Sequence, residues 1–312
     1  MKVKRLLILV AFWGFTLLGF AQKNDGFTSL FNGKDLSGWI MPGKVPGFEV
    51  ADSVLFASPH NGSELFTKEK YGNFVFKFEY LLSEVGNSGV LIRCEPENPW
   101  NSGVEIQLLA PWTPYRDDLH CTGSIYGHVA VTNRPDETTG IWHTMEIKCD
   151  RENVTISVDG KVTTVANTDT VKSMQGKHVA GSIGFQSNHS KEGEFVKFRN
   201  VFVKNMDSDP DYVSKGFYHE NAGFRSQAHD AAEVIGVPMI GRLSEMMSGE
   251  NVMAQAGAKQ VLFDIVAKVA SDGTKRERNA LAKALGKEQK SSRSKAVKSY
   301  FEWLLKMAKS AK

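Results

Sequence analysis

Phe74-Val75-Phe76-Lys77-Phe78-Glu79-Tyr80-Leu81 is the stretch on which the fold turns. Aromatic rings stand at every second position, with a lysine and a glutamate among the residues between them. A period of two belongs to a β-strand, whose side chains alternate between faces, so the rings share one face and need a core to cover them. The same rhythm returns downstream. Val154, Ile156 and Val158 alternate with Thr155 and Ser157, and Asp159-Gly160 then supplies the positive backbone angles of a two-residue turn before Lys161-Val162 resumes. That pattern predicts a hairpin. Val196 to Val203 alternates again, placing Phe198 and Phe202 on one side and Lys197 and Arg199 on the other. From about Phe27 to Val203, strands of this kind succeed one another between turns rich in Gly, Asn and Asp. Consecutive antiparallel strands need a second sheet to bury their apolar faces, so the prediction is an all-β sandwich or jelly roll.

The rhythm stops at Asn205-Met206-Asp207-Ser208-Asp209-Pro210-Asp211, where acidic and turn-forming residues replace the strands. Beyond it, helical spacing runs through Phe224 to Ile235, Pro238 to Met247, Val252 to Ala270, Arg276 to Leu285 and Ser294 to Ala308. Val261, Leu262, Ile265, Val266 and Val269 form an apolar stripe opposite Lys259 and Lys268, as an amphipathic helix in a small bundle requires. Gly249-Glu250-Asn251, Ser271-Asp272-Gly273 and Gly286 are read as the stops between helices. The expected organisation is a signal peptide over 1–21, a β-sandwich over 26–205, a linker over 206–216 and a small α-helical C-terminal region over 217–312.

The signal peptide rests on Lys2, Lys4 and Arg5, an apolar run from Leu6 to Phe20, and Gly19-Phe20-Ala21 before polar Gln22-Lys23-Asn24. The run is short for a membrane span of roughly 20 residues, so export with cleavage after Ala21 is expected, to the periplasm or the exterior. A net charge of +3 over 312 residues makes no case for nucleic acid, and 41% apolar content is ordinary for a packed protein. From Lys275 onward twelve Lys or Arg face only Glu277, Glu288 and Glu302, which fits an anionic polymer or lipid surface but suits solvated helix faces better. Cys94, Cys121 and Cys149 lack metal-ligand spacing and are expected as buried thiols.

Two strands carry the chemistry. Asn87-Ser88-Gly89-Val90 leads into Leu91-Ile92-Arg93, and alternation puts Asn87, Gly89, Leu91 and Arg93 on one face. In Val104-Glu105-Ile106-Gln107-Leu108 the acid and the amide share a face while the apolar residues turn inward. Paired, the two strands would set Arg93, Glu105 and Gln107 side by side. Such groups hydrogen-bond sugar hydroxyls, and an arginine also stabilises negative charge developing on oxygen. The same pattern fits an ordinary polar face with an ion pair. Further along, Gln186-Ser187-Asn188-His189 ends a strand in a loop with an imidazole, the side chain best suited to exchanging a proton near neutrality. Trp100 and Trp112 are candidate platforms for sugar stacking, and Trp39 and Trp142 are expected in the core.

Phe27-Thr28-Ser29-Leu30-Phe31-Asn32-Gly33-Lys34-Asp35-Leu36-Ser37-Gly38-Trp39 resembles the opening of the 3-keto-disaccharide hydrolase family. Further signatures come in order: Lys70-Tyr71-Gly72-Asn73-Phe74, Asn87-Ser88-Gly89-Val90, Glu105-Ile106-Gln107, Thr122-Gly123-Ser124-Ile125-Tyr126-Gly127, Trp142-His143-Thr144-Met145-Glu146-Ile147 and Phe198-Arg199-Asn200-Val201. The resemblance spans about Gly26 to Lys204 and leaves the helical region aside. It implies a concanavalin-like jelly roll acting on glycosides oxidised to a ketone at carbon 3. Such a ketone acidifies the carbon 2 proton, so one base and one enolate-stabilising group suffice, without the paired carboxylates of ordinary glycosidases. Carried over by position, Glu105 or His189 would be the base, Arg93 the enolate stabiliser, and Asn87, Gln107, Tyr126 and Gln186 the ring-positioning groups, with Trp112 beside them. Many relatives have a tighter Gln-Asp-His-Gly or Gln-Ser-Glu-Gly loop where this chain reads Gln186-Ser187-Asn188-His189-Ser190.

Two other classes compete with the enzyme: a carbohydrate-binding module on the same scaffold, and an envelope protein that docks through the helical region. The expected partner is an oxidised sugar or glycoside, with no nucleic acid. No cofactor and no metal site are read from spacing, although loop acids leave a divalent cation open.

Overall fold

The computed structural model describes residues 25–57, 62–114 and 116–310, so the segment read as a signal peptide lies outside the described residues. Thirteen strands precede the helical region: β1 (Thr28–Ser29), β2 (Trp39–Ile40), β3 (Glu49–Ala51), β4 (Val54–Ala57), β5 (Leu65–Thr67), β6 (Phe74–Leu82), β7 (Asn87–Cys94), β8 (Val104–Leu109), β9 (His143–Asp150), β10 (Asn153–Val158), β11 (Lys161–Asn167), β12 (Ser182–Phe185) and β13 (Val196–Asn205). Every pairing between them is antiparallel. One sheet runs β11-β10-β9-β6-β13-β4-β3 with β1 also on β13, and the other runs β2-β5-β12-β7-β8. The two form a jelly-roll sandwich.

The alternation in β6 does what it predicts. Phe74, Phe76, Phe78 and Tyr80 are buried, and Val75, Lys77, Glu79 and Leu81 point outward with more exposure. Phe185 of β12 joins the sheets: its ring stacks on Phe198 of β13 at 4.1 Å and meets Phe78 at 5.2 Å and Phe76 at 5.7 Å. Truncating a phenylalanine so placed to alanine is expected to cost about 3–5 kcal/mol by the cavity it leaves. The β10–β11 hairpin turns at Asp159 and Gly160, both at positive φ (47° and 74°). In β13 alternation fails once. Asn200 (φ 51°) makes a bulge between Arg199 and Phe202, so Val201 and Val203 join the core and Phe202 turns outward. Trp39 is buried as expected, whereas Trp142 is only half-buried and carries the Arg199 guanidinium 4.0 Å from its ring centroid. All three cysteines are buried free thiols.

The helices are α1 (Pro99–Ser102), between β7 and β8, and then α2 (Pro210–Gly216), α3 (Ala222–Ile235), α4 (Ile240–Met247), α5 (Val252–Asp272), α6 (Lys275–Ser291) and α7 (Lys295–Ser310). None among the described residues is long and apolar enough to cross a membrane. The stretch read as a linker holds α2, whose Val213 enters the helical core with Phe217, Leu262 and Phe301. Gly286 is not a stop but lies inside α6, where a Cβ would meet nothing within 4 Å.

Sandwich and helices meet through polar groups. Buried Asn73 donates from its side chain to Asp207 Oδ1 and Gln227 Oε1, both at 2.8 Å, and accepts from the Arg151 backbone N–H at 2.6 Å. Beside it Tyr212 Oη donates to Asp150 at 2.6 Å, and His219 Nε2 lies 2.8 Å from Glu152.

Candidate active site

Strands β7 and β8 pair with Gly89 opposite Gln107 and Leu91 opposite Glu105. Val90, Ile92, Val104, Ile106 and Leu108 enter the core, so Asn87, Glu105, Gln107 and Leu109 belong to the outer face of the smaller sheet. On that face Gly89 is required by close approach: a Cβ there would lie 2.2 Å from Glu105 Oε1. The missing side chain lets the glutamate lie across the neighbouring strand. Phe66, Leu91 and Cys94 form a small apolar cluster beside it.

Glu105 is 9% exposed and no cation pairs with it among the described residues. Burial pushes its carboxyl up to about 7, helped by the charge of Glu64 and opposed by the Trp100 indole, whose Nε1 donates to Oε2 at 3.3 Å. The Gln107 amide makes two hydrogen bonds with its nitrogen donating to Glu105 Oε1 (3.2 Å) and Ser88 O (3.3 Å), and the Asn87 amide then turns its nitrogen to the Gln107 oxygen, 3.1 Å from the Asn87 Oδ1 position. The reverse orientation gives a single bond, to Asn87 Oδ1 at 3.1 Å. An acid that titrates near neutrality therefore sits among neutral amides.

Next to this carboxyl a cleft of about 460 Å³ opens, lined by Asn87, Gln107, His120, Tyr126, His189 and Lys191 among others. A segment running along the edge of β8 brings Tyr126 to its wall: Gln107 N donates to Ser124 O, and Tyr126 N to Glu105 O. Tyr126 meets His120 edge to face at 4.8 Å, and His120 Nδ1 is 2.7 Å from Asp117 Oδ1. That hydrogen bond holds the Asp117 carboxyl below its ordinary range.

The expected residues divide accordingly. Asn87, Gln107, Tyr126 and His189 share the cleft, with Glu105 hydrogen-bonded to Gln107 behind them. Gln186 is buried, and its backbone N–H donates to Gly89 O at 2.8 Å, which keeps it in line with this sheet face. Trp112 is 72% exposed and does not line the cleft, while Trp100 touches Glu105.

Arg93 is the correction. It does not stand beside Glu105, because a bulge intervenes: Arg93 has φ 53°, and the pairing of β7 with β12 slips between Ser182 and Gly184. Leu91 and Cys94 consequently cluster on one face, and Arg93 leaves it, giving Nε to Gly72 O at 2.8 Å and lying 5.7 Å from the Phe224 ring of α3. It lines a different hollow from Asn87, Gln107 and Tyr126.

Alternation within β7 and β8 missed Glu64 and His120. Glu64 precedes a strand of three residues, too short to show a period, and His120 lies in a loop where only the Asp117 three positions earlier hints at a pair. Among the described residues no three His, Cys, Asp or Glu side chains converge as a metal-binding group.

Comparison places this jelly roll among carbohydrate-active proteins. Residues 26–204, more than half the chain, match the 3-keto-alpha-glucoside-1,2-lyase-like domain, and the protein belongs to that family. Two crystal structures of putative glycosyl hydrolases from Parabacteroides distasonis are similar. One is 25% identical, with TM-score 0.51, covering 58% of this chain and 94% of its own. The other is 24% identical, again with TM-score 0.51, covering 58% and 99%. No curated protein matches the chain.

Proposed function

We propose that the protein cleaves 3-keto-glycosides by 1,2-elimination on the outer face of β7 and β8. One observation carries this reading: a buried carboxyl, Glu105, held near neutrality at about 7 beside an amide-lined cleft. A general base works best when its pKa lies near the operating pH, and a 3-ketone makes the carbon 2 proton acidic enough for a carboxylate to remove. In the first step Glu105 takes that proton, and the C–H electron pair forms the enolate, with C2=C3 and the charge on the carbon 3 oxygen. In the second the enolate reforms the ketone, C1=C2 forms, and the bond from carbon 1 to the aglycone oxygen breaks. That oxygen needs a proton. His120, its Nδ1 tied to Asp117, is oriented to deliver it from Nε2. Asn87, Gln107 and Tyr126 hold the ring hydroxyls, and His189 borders the cleft at its mouth.

A 3-keto-glucoside incubated in deuterated water tests the reading by mass spectrometry. Release of the aglycone, with deuterium entering carbon 2 of recovered substrate, is the expected result. Glu105→Gln should abolish both, whereas His120→Gln should slow release and spare exchange. Saturable binding with no product from any 3-keto-glycoside would make the protein a carbohydrate-binding module instead. Export belongs to the same proposal, supported by the cationic start and apolar run of the first residues, and N-terminal sequencing of the mature protein checks it: an intact Met1 would sink it.

A further inference from the structure

A second hollow, of about 480 Å³, lies at the seam between the sandwich and the helices, lined by Arg93, Val104, Asp169, Lys177, His178 and Gly223 among others. Two of its cations, Arg93 and Lys177, have no carboxylate partner among the described residues. Arg93 is 4% exposed, its Nε is spent on the neutral Gly72 carbonyl, and its Nη2 is buried with no partner. No carboxylate pairs with it among the described residues. Guanidinium cannot shed its charge inside a protein, so unpartnered donors in a buried fork favour an acceptor beside them.

The surroundings point the same way. Lys177 Nζ donates to the Trp100 and Asn101 carbonyls at 2.5 and 3.0 Å, again neutral groups. His178 Nδ1 stands 3.7 Å from Glu95, which is already bridged to Lys70 at 2.9 Å. Asp169 is the one acid in the lining among the described residues, and its two oxygens accept from Asn221 Nδ2 at 2.9 and 3.0 Å. Asn221 also caps α3, a helix of 14 residues whose first turn faces the hollow through Gly223 and adds the positive end of its dipole.

We infer that this hollow binds a small molecule bearing an oxyanion, a carboxylate or a phosphate, with two of its oxygens on the Arg93 fork and a third donor from Lys177. A guanidinium fork matches two oxygens of either group, and the hollow lies within the roughly 300–1,000 Å³ of small-ligand pockets, large enough for the molecule that carries the charge. The site draws on both the sandwich and the helices.

Calorimetric titration of the full chain at constant ionic strength tests this, with inorganic phosphate, glucuronate and glucose as probes. Saturable heat from phosphate or glucuronate and none from glucose is expected, and the anion that binds tells phosphate from carboxylate. Arg93→Met and Lys177→Ala should each weaken that binding at least about tenfold, about 1.4 kcal/mol. No saturable heat from either anion, or binding that both variants leave unchanged, would overturn the site. Should Arg93→Met fail to fold, Lys177→Ala, at a half-exposed position, decides alone.

Discussion

Glu105 and Arg93 stand on paired strands, both nearly sealed from solvent and both without an opposite charge, yet they solve the same electrostatic problem in opposite ways. The carboxyl can become neutral, and burial moves its titration to about 7, where a proton is exchanged easily. The guanidinium has no neutral form in reach, so its burial is relieved only by acceptors. A buried acid among amides is therefore equipped to move protons, and a buried guanidinium with vacant donors to hold an anion. The glycine opposite Gln107 makes room for the first, and the bulge at Arg93 turns the second to the other side of the sheet.

On this division Glu105→Gln should lower turnover of a 3-keto-glucoside at least about a hundredfold, about 2.7 kcal/mol, and Arg93→Met less than about tenfold. Equal losses in the two steady-state assays would collapse the two places into one. The same Glu105→Gln substitution should raise stability at alkaline pH. The folded carboxyl titrates at about 7 against 4.5 for the ordinary group, so the folded state holds the extra proton between those values. The stability it confers is fully present below 4.5 and is lost as pH rises through about 7, up to about 3 kcal/mol. Urea unfolding at pH 5 and pH 8 should show that loss in the parent protein and not in the variant. Asn73→Ala, which strands Asp207 and Gln227 at the seam, should cost about 2 kcal/mol in the same experiment. Trp112→Ala should change stability by less than about 0.5 kcal/mol and leave turnover unchanged, since the indole is exposed outside the cleft.

The sandwich is legible in the sequence because the rings of β6 and the turn at Asp159-Gly160 state their geometry locally. The helices are legible for a like reason, except where Gly286 looks like a stop in a place that has no side-chain neighbours to miss it. Alternation cannot reveal its own interruption. Arg93 and Asn200 adopt left-handed backbone without being glycine, and each bulge shifts the facing of its strand, misplacing Arg93 and Phe202. Glu105 and Gln107 are recognisable because β8 is regular. The pairing of His120 with Asp117 is local, but its place over the sheet, like the approach of Glu64, comes from loops folding back, which no single segment encodes.

Among the described residues the apolar interiors of the sandwich and of the helices share no residue, and the join between them is largely polar: amides, carboxylates, a phenol, an imidazole, and the Arg93 and Arg151 guanidiniums over the rings of Phe224 and Tyr212. Heat should therefore be absorbed in two events rather than one. Acidifying the buffer enough to neutralise Asp150, which accepts from Tyr212, should drive those events apart, while an oxyanion seated at the border should draw them together.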